Sequence, residues 1–133
     1  MAKQDPNAKS AEEFSRLGQG LFQNIADATQ LTIAAINGYC MGGAMDLALA
    51  CDIRVASPNA VFAHPGARLG IITGWGGTQR LPRVVGRTAA LDLLLTAKRI
   101  NADDALRLGL VTQLASDPLN AASSVFQQAL HTA

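Results

Sequence analysis

The stretch INGYCMGGAMD, residues 36–46, decides how this chain is read. It follows a short run, residues 31–36, that is apolar apart from Thr32, the pattern of a strand buried on both faces. Asn37-Gly38 reads as a turn, and Gly42-Gly43 open a small-residue helix that runs to about Cys51. Paired glycines at a strand-to-helix turn let the backbone approach a ligand closely, with N–H groups aimed outward. Donors preset toward a developing negative charge are what an oxyanion hole requires. Asp46 follows Gly43 within one helical turn, which sets its carboxylate beside whatever that N–H holds. The same spacing also suits a plain glycine turn packing helix on strand, with Asp46 capping the first turn.

Downstream, a second strand is expected at Ile53–Ala56, a turn at Ser57-Pro58-Asn59, and a brief strand at Val61–Ala63. Strand, tight glycine turn, helix and strand in this order imply an α/β layered architecture. A glycine-rich stretch, 66–77, leads to a helix starting near Thr78 or slightly later, placed there because Pro82 is tolerated only close to a helix start. Gly86 breaks the chain before a leucine-rich helix over 88–96. Asn101 and Asp104 give a cap signal, Gly109 ends that helix, and 111–114 reads as an edge strand or extended link. Asp117-Pro118 then caps a last helix whose apolar face, Leu119, Ala122, Phe126, Ala129 and Leu130, needs a partner.

Upstream, residues 1–9 read as a flexible lead, and Ser10 with Glu13 has capping-box spacing. Phe14, Leu17, Leu21, Phe22 and Ile25 share one face of the helix that follows. Gly18 and Gly20 weaken that helix, so it depends on packing.

Composition narrows the function. The 133 residues suit one domain, and 49% of them are apolar, yet no apolar run approaches a membrane span. The start of the chain has no apolar signal core, so the expected compartment is the cytoplasm. Net charge is +1 with basic residues scattered, which argues against a nucleic-acid partner. Anionic small molecules stay open, because helix N-termini hold them with little net charge. Cys40 and Cys51 read as buried free thiols of a reducing environment. A catalytic Cys40 would need a base, and only His64 and His131 are present to supply one.

Three ordered blocks carry a family resemblance. Residues 32–54, TIAAINGYCMGGAMDLALACDIR, resemble the signature of the crotonase (enoyl-CoA hydratase/isomerase) family. Residues 62–86, FAHPGARLGIITGWGGTQRLPRVVG, resemble its next block, and 95–114, LTAKRINADDALRLGLVTQL, the following one. The resemblance implies that Gly43 supplies an oxyanion-hole N–H to an acyl-CoA thioester. It also implies that Asp46 stands where hydratases carry a glutamate acting as acid or base. Aspartate is one methylene shorter, and a proton relay must reach its proton, so the swap threatens rate while keeping the charge. The helix N-terminus favours an ionised carboxylate there, which suits a base more than an acid.

A second departure is larger. Hydratases of the family usually place another glutamate after the proline of the second block; here that pair is Pro65-Gly66. The position near Gly74, where related isomerases carry a carboxylate, has none either. His64 is a candidate replacement base or a structural hydrogen-bonding residue. Substrate-binding positions implied by the resemblance are Met41, Gly42, Pro65, Gly66, Leu69, Gly74 and Trp75, with Trp75 either walling an acyl pocket or packing. No metal and no separate cofactor is expected, coenzyme A being part of the substrate. Gly74-Trp75-Gly76-Gly77-Thr78 lacks the lysine of a phosphate loop. Arg80, Arg83 and Arg87 are expected to cap helices or pair with carboxylates.

The expected fold is a crotonase-like ββα spiral, truncated at its N-terminal side and in its C-terminal helices. Residues 1–133 then form one partial domain, with 10–114 as core and 115–133 as the start of the helical region. Family members are commonly about twice as long, so the resemblance implies a homo-oligomer (trimer or hexamer) or a partner chain that supplies the rest. Two functions follow. One is an acyl-CoA hydratase or isomerase; the other is a non-catalytic binding or assembly subunit, which the glycine at position 66 favours.

Overall fold

The computed structural model describes residues 6–132. Helix α1, Pro6–Ala26, comes first. Residues 6–9 are therefore helical rather than a flexible lead, and the rest of that lead lies outside the described residues. Ser10 sits inside the helix, so the expected capping box does not form. Proline fits a helix start because the N–H it lacks has no partner there. Ion pairs at i,i+4, Lys9–Glu13 at 3.9 Å and Arg16–Glu12 at 2.6 Å, support the early turns.

Two three-stranded sheets follow. The first holds β1 (Ile33–Ile36), β3 (Ile53–Ala56) and β6 (Gln113–Leu114) in the order β1-β3-β6, all parallel. The second holds β2 (Tyr39–Met41), β4 (Val61–Ala63) and β5 (Ile100–Asn101) in the order β2-β4-β5, with β2 parallel and β5 antiparallel to β4. The chain alternates between sheets: β1 turns through Asn37-Gly38 into β2, α2 (Gly43–Ala50) crosses back to β3, and β4 returns to the second sheet. That alternation is one turn of a ββα spiral. A 3₁₀ turn, Pro65–Leu69, and three helices follow: α3 (Gly77–Val85), α4 (Arg87–Thr96) and α5 (Ala102–Arg107). The last helix, α6 (Pro118–Thr132), packs on β1 and β3.

The caps behave as the side chains dictate. Asn101 Oδ1 accepts from the Asp104 N–H at 2.8 Å, and Asp117 Oδ1 from the Asn120 N–H at 3.0 Å. Met45, Leu49, Phe62, Leu81, Leu93 and Leu110 interlock α2, the second sheet and the following helices into one buried cluster. Two expectations fail. Strand β1 is not buried on both faces, since Ala35 points outward while Ile36 is buried. Pro82 lies inside α3 beyond its first turn, at the cost of one backbone hydrogen bond.

Several apolar side chains stay largely exposed. On α1 only Phe22 of the expected face is buried; Phe14, Leu17 and Leu21 are exposed. Leu119, Phe126 and Leu130 of α6 are exposed as well, and Ala122 alone of that face is buried. No described helix is long and apolar enough to cross a membrane.

Candidate active site

The turn from β2 to α2 needs glycine at its first position. Gly42 has φ +57° and ψ −121°, a conformation that L side chains rarely adopt, and its N–H donates to Ala63 O at 3.0 Å. That bond ties the helix start to β4. Gly43 is the first residue of α2, and the first hydrogen bond across the turn runs from the Asp46 N–H to Gly42 O at 3.0 Å. The Gly43 N–H therefore belongs to the helix's unpartnered first turn. Gly43 must be glycine for a packing reason too: a Cβ there would lie 2.7 Å from Trp75 Cζ3.

Trp75 is the wall of the site. Its ring packs on Phe14 at a centroid distance of 5.2 Å and edge-on to Phe22 at 5.7 Å. It also lies on Gly18, where a Cβ would come within 2.3 Å of the indole. Gly18, which weakens α1 as a helix, is the residue that lets α1 close over the tryptophan. Ser15 Oγ and Gln19 Nε2 each donate to Gly74 O at 2.7 Å, which pins the glycine-rich loop to α1.

Between these elements is a largely apolar cavity of about 510 Å³. Of the positions expected at a site, Gly42, Gly43, Asp46, Pro65, Gly66, Leu69, Gly74 and Trp75 line it; Met41, on β2, does not. Phe14 and Ser15 from α1 line it as well, with His64, Ile71, Ile72 and Thr73.

The polar part of this cavity is a buried cluster. Asp46 is 2% exposed and His64 3% exposed. Asp46 Oδ1 and His64 Nε2 lie 3.0 Å apart, but their alignment falls outside hydrogen-bond geometry, so neither atom has a hydrogen bond among the described residues. Thr73 Oγ1 donates to the other carboxylate oxygen, Asp46 Oδ2. Gly77 makes room for all three. A Cβ there would fall 2.2 Å from Asp46 Oδ1, 2.8 Å from Thr73 Cγ2 and 3.0 Å from His64 Nε2. Asp46 is the only carboxylate among the lining residues, and Gly66 brings none.

Cys40 is no nucleophile. Burial, then the nearby Asp46 carboxylate, push its thiol up to about 11, so it stays protonated near neutrality. Arg80 donates to Gln23 Oε1 at 2.9 Å and to Trp75 O at 3.4 Å, joining α3 to α1 rather than pairing with a carboxylate. No cluster of metal-ligating residues occurs among the described residues.

Comparison with known proteins bears on this geometry. The family profile described as enoyl-CoA hydratase/isomerase matches residues 1–131. The crotonyl-CoA hydratase of Syntrophomonas wolfei is 50% identical over 111 residues, covering 84% of this chain and 43% of that protein. The short-chain-enoyl-CoA hydratase of Clostridium acetobutylicum is 43% identical over 121 residues, covering 90% of this chain and 46% of its own length. Among solved structures, Pseudomonas aeruginosa DspI superposes with a TM-score of 0.89 at 39% identity, over 98% of this chain and 53% of that one. The chain thus spans about half the length of the relatives it matches.

Proposed function

Because the chain belongs to the enoyl-CoA hydratase/isomerase family and has the crotonase fold, we propose that its cavity binds an acyl-CoA thioester and carries out, weakly, the proton chemistry of an enoyl-CoA hydratase. The observation that carries this reading is Gly43, the first residue of α2, lining an apolar cavity that holds one buried carboxylate. The N–H polarises the thioester carbonyl, and the helix start favours the enolate charge that develops on its oxygen. Asp46 takes a proton from water adding to the β-carbon. Phe14, Leu69, Ile71 and Trp75 supply apolar contact for a short acyl chain.

Activity in the cytoplasm, and completion of the pocket by a second copy or a partner chain, belong to the same proposal. The exposed apolar faces of α1 and α6 support it, since obligate interfaces resemble a core cut in half. Position 66 brings no carboxylate and Asp46 is shorter than the usual glutamate, so hydration by this chain alone is expected to be slow. Gly66, which offers no carboxylate, favours a second reading: an acyl-CoA-binding subunit without turnover.

The test is titration of the full chain with butyryl-CoA by calorimetry, alongside a spectrophotometric assay with crotonyl-CoA. Binding of butyryl-CoA, with slow turnover lost in Asp46→Asn, supports the hydratase reading. Binding without turnover supports the subunit reading. No binding at millimolar ligand overturns both.

A further inference from the structure

We infer that His64 is the second proton-transfer group of this site, working with Asp46 as a pair in place of the two carboxylates of a hydratase, and that Thr73 is the residue that positions the pair. The inference rests on the acyl-CoA reading above.

Three observations carry it. His64 and Asp46 are both almost completely buried, both line the same cavity, and their Nε2 and Oδ1 atoms are 3.0 Å apart. Each of those atoms lacks a hydrogen bond among the described residues. Buried polar atoms are almost always satisfied, so two adjacent exceptions at a cavity mark a place built to receive a further group, here water and substrate. Thr73 holds the other carboxylate oxygen and so fixes the direction in which Oδ1 faces. The arrangement also has dedicated space, because any side chain at position 77 would collide with both members of the pair.

The chemistry balances across the pair. The scheme uses Asp46 as the proton acceptor and His64 as the proton donor. Water adds its oxygen to the β-carbon and gives its proton to Asp46, while His64 gives a proton to the α-carbon. A turn of the imidazole that aligns Nε2 with Oδ1, 3.0 Å away, lets the proton on Asp46 return to His64 and restores the starting state. One water is consumed and no other reactant is needed. A shortened carboxylate suits this arrangement, since its reach is set by Thr73 and His64 rather than by a second acid at position 66.

The experiment uses the full chain, with crotonyl-CoA hydration and butyryl-CoA binding measured side by side. His64→Gln is expected to lower kcat about a hundredfold while the Kd for butyryl-CoA changes by less than about threefold. The Asp46→Asn, His64→Gln double variant is expected to be no worse than about threefold below the poorer single variant, because groups acting as a unit are not additive. Thr73→Val is expected to cost about tenfold in kcat with little change in KM, and Thr73→Ser to restore it. Added imidazole is expected to recover about tenfold or more in His64→Ala, which keeps the test open if His64→Gln folds poorly. Retained kcat in His64→Gln, multiplying losses in the double variant, or no rescue by imidazole would overturn the inference. So would wild-type turnover equal to the blank with butyryl-CoA bound, an outcome that leaves the binding reading standing. Failure to bind butyryl-CoA removes the acyl-CoA reading itself.

Discussion

Helix α2 is short, and its two ends treat buried polar groups in opposite ways. At its C-terminal end Arg54 is 7% exposed and has its hydrogen bonds made: Nε donates to Leu110 O at 2.7 Å, and Nη1 to Cys51 O at 2.7 Å and Ala48 O at 3.4 Å. Asp52 beside it accepts from the Thr32 N–H and Thr32 Oγ1, both at 2.8 Å. At the N-terminal end Gly43 opens the helix with no side-chain cap, and the buried Asp46 Oδ1 and His64 Nε2 find no hydrogen bond among the described residues. Each unsatisfied buried group forgoes about 1–3 kcal/mol. The contrast separates two jobs. The satisfied end holds β3, β6 and the close of α2 together; the unsatisfied end keeps its hydrogen-bonding capacity for something that arrives.

Stability measurements can break this comparison. Arg54→Met removes the donor from Leu110 O and Cys51 O inside the core and is expected to cost about 3 kcal/mol in urea unfolding, the largest effect in the set. Gly77→Ala forces a methyl group against the Asp46–His64–Thr73 cluster and is expected to cost about 2 kcal/mol. Asp46→Asn keeps the side chain's shape at a buried site whose Oδ1 has no hydrogen bond to lose, so its effect is expected to stay within about 1 kcal/mol of zero even where it abolishes turnover. If Asp46→Asn proved as damaging as Arg54→Met, both ends of α2 would be structural and the site reading would lose its physical basis.

The sequence made the local part of this site legible and hid the long-range part. Gly42, Gly43 and Asp46 lie within one turn, so their juxtaposition follows from helix geometry alone. Thr73 is 27 positions from Asp46, and only the fold brings them together. One sign was present: Thr73 is the only hydroxyl between Arg68 and Thr78, in a stretch otherwise glycine, aliphatic and tryptophan. The role of Gly18 was equally non-local, since its cost to α1 makes sense only once Trp75 is against it. Strands β2 and β5, of three and two residues, are too short for a period to show in sequence. The expectation that β1 is covered on both faces failed because a continuous apolar run reports what each position tolerates, while exposure of Ala35 depends on what packs above it.

The smallest effect in the comparison is a pH dependence at the satisfied end. The Thr32 N–H and hydroxyl bonds hold the Asp52 carboxyl below the ordinary carboxylate range, with burial opposing weakly. A depressed folded-state value means the carboxylate is favoured in the folded chain. Its contribution is therefore full above the unfolded value, about pH 4, and is lost as pH falls through the lower folded value. Asp52 is exposed, so solvent screening limits the contribution to about 0.5 kcal/mol or less. Asp52→Asn keeps one acceptor oxygen and removes the charge. The variant should be less stable than the wild type at pH 7 by that small amount, and the two unfolding curves should converge as the pH is lowered into the acid range. A gap that widens toward low pH would mean that Asp52 stabilises the fold better when protonated. The carboxylate would then not be a fully satisfied group of the C-terminal end.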